Sequence, residues 1–270
     1  MCFLRGTKIA VVGAGKMGTV IAEGIIKNSV AHANDLAITG RGKKEGIRKL
    51  ESLGARACGS NIQAVKDADV VLLCIKKEDM GSLLSDLEGH LGGRTAIYIA
   101  AGVSTAYVEE RAAYAGVIAA MPNIGMKINY SHTALCAGKS ASELDRKRAE
   151  GIFSSMGSAE WIDEAKRTLF TAACACTPAI SANEIRHLAS AFESQGISRE
   201  DAIRWVAKGF AAAALLLNGS EMGAEEIESQ VATKGGLTEA GLRKAESLGL
   251  GRMMSEIVET MLSRGKTMEK

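Results

Sequence analysis

The chain of 270 residues has little proline, few aromatic side chains and no long hydrophobic run. Aromatic residues make up 4% of it, so we expect no stacking platform for single-stranded nucleic acid. Its 33 positive and 31 negative side chains almost balance, so the chain as a whole carries no nucleic-acid signal and any basic site must be local. The longest apolar run, Gly209–Leu217, is about half the ~20 residues that a membrane span needs. We therefore expect neither a nucleic acid nor a membrane as partner.

Metal-binding and secretory signals are missing too. The six cysteines form no CxxC pair and the four histidines are isolated, so we expect no zinc or haem site. Residues 1–5 lack the apolar segment of a signal peptide, and scattered cysteines suit a reducing compartment, so we expect a cytoplasmic protein. Cys174 and Cys176 are either small packing residues or a redox pair.

The first part of the chain alternates short apolar runs with amphipathic stretches. Strands separated by helices predict a parallel sheet with right-handed crossovers. The predicted strands are Lys8–Val12, Leu36–Thr39, Val70–Ile75, Ala96–Ala100 and Val117–Ala120, and the predicted helices between the first of them are Thr19–Lys27 and Lys43–Leu53.

The second part has long helical patterns and few β-branched runs. We predict an α/β Rossmann-type dinucleotide-binding domain over residues 1–163, followed by an all-α domain over 164–270. Ser198 with Asp201 resembles a capping box. Gly209–Leu217 is apolar on all sides, which favours burial against a partner subunit over the centre of a monomeric bundle. The predicted helices are Glu164–Ala175, Ala179–Gln195, Ser198–Leu217, Thr238–Ser247 and Met253–Arg264.

A glycine-rich turn follows the first predicted strand and begins a helix. It fits the GxGxxG pattern of dinucleotide sites, in the strand-to-helix context that such a site requires. Gly13 makes the tight turn, Gly15 lets a pyrophosphate approach the backbone, and Gly18 lets the helix pack close to the strand. The alternative is a purely structural turn. The predicted pyrophosphate site is Gly13, Ala14, Gly15, Lys16, Met17 and Gly18.

The end of the second predicted strand favours NADPH over NADH. NAD sites usually carry a carboxylate there for the ribose 2′-hydroxyl, whereas this chain has Arg41, Lys43 and Lys44. Arg41, with Lys43 or Lys44 behind it, can pair with a 2′-phosphate. The alternative is a solvated basic turn. Lys76, after the third strand, either lines the cofactor or lies on the surface.

Seven segments in order carry a family resemblance. They are KIAVVGAGKMG at 8–18, IKK at 75–77, AAG at 100–102, MPN at 121–123, WIDE at 161–164, Pro178 and KGGLTEAGL at 234–242. This succession resembles the pyrroline-5-carboxylate reductase family over nearly the whole chain. The resemblance implies a helical C-terminal domain that dimerises, giving a homodimer or a higher homo-oligomer.

The same resemblance implies NADPH, with NADH possible, as hydride donor to a cyclic imino acid that becomes proline. It assigns the catalytic role to Thr238, whose other role would be to cap a helix. It assigns substrate binding to Gly235, Gly236, Leu237 and Thr238. Further cofactor contacts follow from it at Ile75, Lys76, Ala100, Ala101, Gly102, Met121, Pro122 and Asn123.

Four departures from the family pattern lie around the implied substrate pocket. Ile124 and Gly125 replace Thr-Pro, Ile180 replaces a tyrosine, and Lys234 replaces a proline. They leave two alternatives open: a related NADP-dependent reductase of another imine or carbonyl, and a regulator that binds NADP(H) without turnover. An F420-dependent NADP reductase has a similar nucleotide half, but the Gly235–Thr238 match disfavours it.

Overall fold

The computed structural model describes residues 4, 6–41 and 45–268. The chain divides into two compact units. The first runs to Cys176 and also includes the segment from Leu262 onward, and the second is Thr177–Met261. Residues 164–176 therefore group with the α/β unit.

A twisted sheet forms the centre of the first unit. In the described residues it has eight strands in the order β3-β2-β1-β4-β5-β6-β7-β8. All neighbours are parallel except β6 and β7, which are antiparallel. The expectation of a wholly parallel sheet is therefore wrong at β7. The strands are β1 Ile9–Val12, β2 Leu36–Thr39, β3 Arg56–Ala57, β4 Val70–Leu73, β5 Thr95–Tyr98, β6 Gly116–Met121, β7 Ser131–Ala137 and β8 Gly157–Trp161.

The central strands are apolar throughout because both sides of the sheet are covered by helices. In β4, Val70 and Leu72 pack into one hydrophobic core, while Val71 and Leu73 pack into the other. The five strands predicted from apolar runs are confirmed. The strands β3 and β8 had no such run, and β7 was missed although residues 134–137 are apolar. The helices are α1 Lys16–Lys27, α2 Glu45–Ser52, α3 Asn61–Val65, α4 Lys77–Asp86, α5 Thr105–Glu109, α6 Glu143–Ser154 and α7 Arg167–Phe170.

The predicted helix over Glu164–Ala175 is helical but changes type along its length. A 3₁₀ turn spans Glu164–Lys166, α7 follows, and a π-helical turn spans Thr171–Ala175. Another 3₁₀ segment, Ile124–Ile128, connects β6 to β7.

The second unit is helical, as expected. Ser198 caps α9, because its Oγ accepts a hydrogen bond from the Asp201 amide at 3.1 Å. Ala189, Ala202 and Val206 form a small core between α8 and α9. The described part of the chain contains no helix long and apolar enough to cross a membrane. The helices are α8 Thr177–Glu193, α9 Arg199–Gly219, α10 Ala224–Val231, α11 Leu237–Ser247 and α12 Leu250–Met268, of which the part from Leu262 belongs to the first unit.

The apolar end of α9 is not at the centre of a bundle. Leu215, Leu216 and Leu217 are each exposed, Leu215 to 56%. Trp205, on the same helix, is also exposed. Large apolar side chains exposed together mark a surface that associates with another molecule.

Candidate functional site

One edge of the sheet brings together the predicted cofactor residues of the first unit. They lie at or just after the carboxyl ends of β1, β2, β4, β5 and β6, where ligands of open α/β sheets bind. From β1 the chain adds β2 and β3 on one side and then returns to add β4 on the other side of β1. A dinucleotide usually binds at such a reversal of strand order. The predicted contact Lys43 lies outside the described residues.

The turn after β1 is tight at Gly13. This residue has a φ of 103°, and a Cβ there would lie 2.5 Å from the Cys74 carbonyl oxygen. The amides of Gly13 and Ala14 both donate to the Thr39 carbonyl, at 3.0 and 2.7 Å. Gly13 and Ala14 therefore shape the turn, and their N–H groups are already used within the protein.

Gly15 has open space around it, in contrast to its neighbours. No atom lies within 4 Å of a Cβ built at Gly15, whereas a Cβ at Gly18 would lie 2.1 Å from the Gly13 carbonyl oxygen. Gly15 is the N-cap of α1, and the first intrahelical bond runs from the Thr19 amide to its carbonyl. The amides of residues 16–18 therefore have no intrahelical acceptor and lie at the positive end of the helix dipole. This cradle fits a pyrophosphate.

Arg41 follows β2 and is exposed. Its guanidinium lies 3.8 Å from the carboxylate of Asp79, in the first turn of α4. Sequence reasoning missed Asp79, because the two residues lie far apart in the chain and no motif links them. The pair joins the ends of β2 and β4 on the side of the expected adenosine ribose.

The residues after β4 differ in their exposure. Ile75 is half-buried, while Lys76 is the exposed N-cap of α4. Cys74 lies beneath the glycine turn, and burial raises the pKa of its thiol to about 12. This thiol therefore stays protonated and acts as a packing group.

Asn123 is buried just after β6, and both ends of its side-chain amide form hydrogen bonds within the chain. Its Oδ1 accepts from the Gly125 amide at 2.8 Å, and its Nδ2 donates to the Cys174 carbonyl at 3.4 Å. Burial raises the pKa of the Cys174 thiol, which a hydrogen bond from Asn123 opposes. Asn123 thus fastens the residues after β6 to the π-helical turn.

In the second unit, the predicted substrate residues span the turn before α11 and the first two residues of that helix. Gly235 has a φ of 77° and its amide donates to the Glu239 carboxylate at 2.7 Å. Gly236 is the N-cap and the helix begins at Leu237. The alternative role of Thr238 as N-cap is therefore wrong, because Thr238 is the second residue of the helix.

Comparison with known proteins agrees with this arrangement. Residues 164–268 match the family model of pyrroline-5-carboxylate reductase dimerisation. A relative from Thermus thermophilus named pyrroline-5-carboxylate reductase is 31% identical over 259 residues, covering 96% of this chain and 97% of its own. The chain belongs to the pyrroline-5-carboxylate reductase family. Residues 8–102 also match the model of the F420-dependent NADP oxidoreductases.

Solved structures of this family have the same fold. A Streptococcus pyogenes 1-pyrroline-5-carboxylate reductase is 27% identical with a TM-score of 0.85, covering 96% of this chain and 98% of its own. A Plasmodium falciparum pyrroline carboxylate reductase with NADP bound has a TM-score of 0.90 at 23% identity, and covers 98% of both chains. The predictions of a Rossmann-type half and an all-helical half are confirmed.

The departure from the family pattern at Gly125 has a structural reason in this chain. A Cβ at Gly125 would lie 2.4 Å from the Tyr130 carbonyl oxygen. The Gly125 amide donates to Asn123, and its carbonyl accepts from the Tyr130 amide at 2.9 Å. A proline has no amide hydrogen to donate, so the segment after β6 is closed here by a different set of bonds.

Proposed function

We propose that this chain reduces 1-pyrroline-5-carboxylate to proline with NADPH. The observation that carries the proposal is the glycine turn, with Gly15 open beneath the N-terminus of α1, in a chain of the pyrroline-5-carboxylate reductase family. Bound NADPH supplies a hydride to the carbon of the C=N bond, and a proton goes to the nitrogen, giving proline and NADP⁺.

The residues on the sheet edge hold and orient the cofactor in this proposal. The amides of residues 16–18 bind the pyrophosphate, and Arg41 pairs with the 2′-phosphate. Ile75, Lys76, Ala100–Gly102 and Met121–Asn123 line the nicotinamide half. Asn123 does so through its backbone and position, since its side-chain amide is bound to Gly125 and Cys174.

The turn before α11 recognises the substrate. The amides of Leu237 and Thr238 at the start of the helix suit a carboxylate, and the glycines allow it to approach closely. The Thr238 hydroxyl forms a hydrogen bond with the imine nitrogen and accepts from its N–H when the substrate is the protonated iminium, which orients the C=N bond. A hydroxyl is a poor general acid, but a protonated iminium is already electrophilic and needs little further acid catalysis.

The working form in this proposal is a cytoplasmic homodimer or a larger homo-oligomer built through residues 164–270. The exposed leucines at the end of α9 support it, as does the match to a dimerisation model. The five described cysteines are all free thiols, in keeping with a reducing compartment.

The test is NADPH oxidation followed by absorbance, with 1-pyrroline-5-carboxylate as substrate and NADH in parallel. The proposal expects turnover with both, and a higher kcat/KM for NADPH. Turnover of other cyclic imines but not of 1-pyrroline-5-carboxylate would assign the chain to a related reductase. The observations behind this alternative are the departures from the family pattern at Ile124, Gly125 and Lys234. NADPH binding without turnover of any imine would indicate a regulator.

A further inference from the structure

An arginine is buried beside the carboxyl end of β5. Arg167, the first residue of α7, is 6% exposed, and its Nη1 donates to the Tyr98 hydroxyl at 3.0 Å and to the Glu164 carboxylate at 3.1 Å. Burying a guanidinium is unfavourable unless it is paired and hydrogen-bonded. Arg167 therefore depends on these two partners.

Both partners of Arg167 hold the loop that follows β5. The Tyr98 hydroxyl donates to the Val103 carbonyl at 2.9 Å. The Glu164 carboxylate accepts from the Thr105 amide at 2.8 Å and from the Thr105 hydroxyl at 2.7 Å. Burial raises the pKa of the Tyr98 phenol, which stays protonated and keeps donating to Val103.

The loop held in this way contains Ala100, Ala101 and Gly102. It is fastened at Val103 and at Thr105, and the Arg167 side chain is bonded to both fastening groups, Tyr98 and Glu164. Under the proposed function this loop lies against the nicotinamide. Hydride transfer depends steeply on alignment, and a shift of about 1 Å by a remote change can lower the rate about 100-fold.

We propose that Arg167 is a positioning residue of the reductase, which fixes the Ala100–Gly102 loop against the nicotinamide by holding Tyr98 and Glu164 together. It touches neither the reacting carbon nor the imine, and acts through the loop. This inference rests on the proposed function, because the loop has a reacting partner only if a nicotinamide binds there.

The test compares Arg167→Met, which keeps much of the side-chain volume, with Arg167→Lys, whose ammonium can still donate to both partners. We expect Arg167→Met to lower kcat about 10- to 100-fold, with the KM for NADPH changed less than about threefold. The kinetic isotope effect with NADPH deuterated on the transferred face of C4 should rise, since hydride transfer then limits the rate to a greater degree. Arg167→Lys should recover most of the rate.

Arg148→Met is the matched control. Arg148 is also largely buried, but it binds the Thr95 hydroxyl at 3.1 Å and the Asp69 carboxylate at 3.6 Å. These two partners lie at the amino ends of β5 and β4, away from the cofactor edge of the sheet. We expect it to lower Tm with kcat unchanged. If Arg167→Met fails to fold, Tyr98→Phe takes its place, because it removes only the hydroxyl that joins Arg167 to Val103.

The outcomes separate the two proposals. Wild-type protein without turnover of 1-pyrroline-5-carboxylate overturns the proposed function. The loop is then tested by the fluorescence of bound NADPH, which should shift in Arg167→Met and not in Arg148→Met. If the wild type turns over and Arg167→Met has an unchanged kcat and isotope effect, the role of Arg167 alone is overturned. If the wild type does not turn over, an unshifted emission of NADPH bound to Arg167→Met overturns it.

Discussion

The guanidinium of Arg41, which follows β2, and the carboxylate of Asp79, in the first turn of α4, lie 3.8 Å apart. Both side chains are more than half exposed, so their attraction is weak, about 0–1 kcal/mol. A 2′-phosphate, with its higher charge and a bidentate geometry, competes well for the same guanidinium. The ion pair with Asp79 therefore keeps the Arg41 side chain beside the cofactor site but is weak enough for a 2′-phosphate to replace it.

Arg41→Ala should weaken NADPH binding about 10- to 100-fold, since a hydrogen bond to a charged group contributes about 1.5–3 kcal/mol. NADH binding should change little, because NADH has no 2′-phosphate. Titration calorimetry with both cofactors measures the difference. Arg48→Ala, an exposed arginine on α2, is the control. Equal losses for NADPH and NADH would refute a 2′-phosphate contact at Arg41.

Gly15 and Gly18 should separate cofactor binding from stability. At Gly15 there is open space for a methyl group, and the φ of −84° is one that alanine adopts. The free energy of unfolding of Gly15→Ala should therefore lie within about 1 kcal/mol of the wild-type value. It should nevertheless weaken NADPH about tenfold or more, because the new methyl group blocks the pyrophosphate.

Gly18→Ala should instead lower the free energy of unfolding by about 1–3 kcal/mol, because its methyl group collides with the Gly13 carbonyl. Urea unfolding without cofactor and NADPH titration measure the two effects. If both variants lost stability equally, the open space at Gly15 would have no special role.

The sequence predicts those parts of the fold that are determined by residues close together in the chain. Apolar runs such as Val70–Leu73 indicate strands buried on both sides, and the GxGxxG spacing indicates the turn after β1. In the structure the crowding at Gly13 and Gly18, and the space at Gly15, match the tasks expected of each glycine.

Features that join distant residues were missed. The strand β8, Gly157–Trp161, is half-exposed and has no apolar run, so periodicity gave no signal. The Arg167–Tyr98 bond links residues 69 positions apart. Arg167 stands between Lys166 and Thr168 in the sequence, so no local pattern marked it as buried. The helix start at Leu237 depends on backbone geometry at Gly235 and Gly236, which composition does not reveal.

Thr238→Ala should lower kcat/KM for 1-pyrroline-5-carboxylate and leave NADPH affinity nearly unchanged. Since Gly236 is the cap of α11, the substitution should change the free energy of unfolding by no more than about 0.5 kcal/mol. Thr238→Ser keeps the hydroxyl and should retain most of the activity. An unchanged kcat/KM in Thr238→Ala would remove Thr238 from the substrate site.

Glu23 should make stability depend on pH below its ordinary pKa of 4.5. Burial raises the pKa of this carboxyl, but hydrogen bonds and charges from Lys49 and Lys27 outweigh burial and lower it overall. A lowered folded-state pKa contributes stability above the unfolded-state value, and that stability is lost as the pH falls through the folded-state value.

Urea midpoints between pH 7 and pH 3 measure the contribution of Glu23. The wild type should lose more stability than Glu23→Gln across this range, since glutamine does not titrate there. Parallel curves for the two proteins would mean that the ion pairs of Glu23 with Lys27 and Lys49 contribute no pH dependence.

The most direct test of the proposed reaction is to follow the transferred hydrogen. The protein is given 1-pyrroline-5-carboxylate and [4-²H]NADPH labelled on each face of the nicotinamide in turn, and the product is analysed by mass spectrometry. The account predicts proline carrying one deuterium, on the carbon of the former C=N bond, from one of the two labelled cofactors. NADPH bound at the glycine turn with no deuterated proline from either label would contradict it.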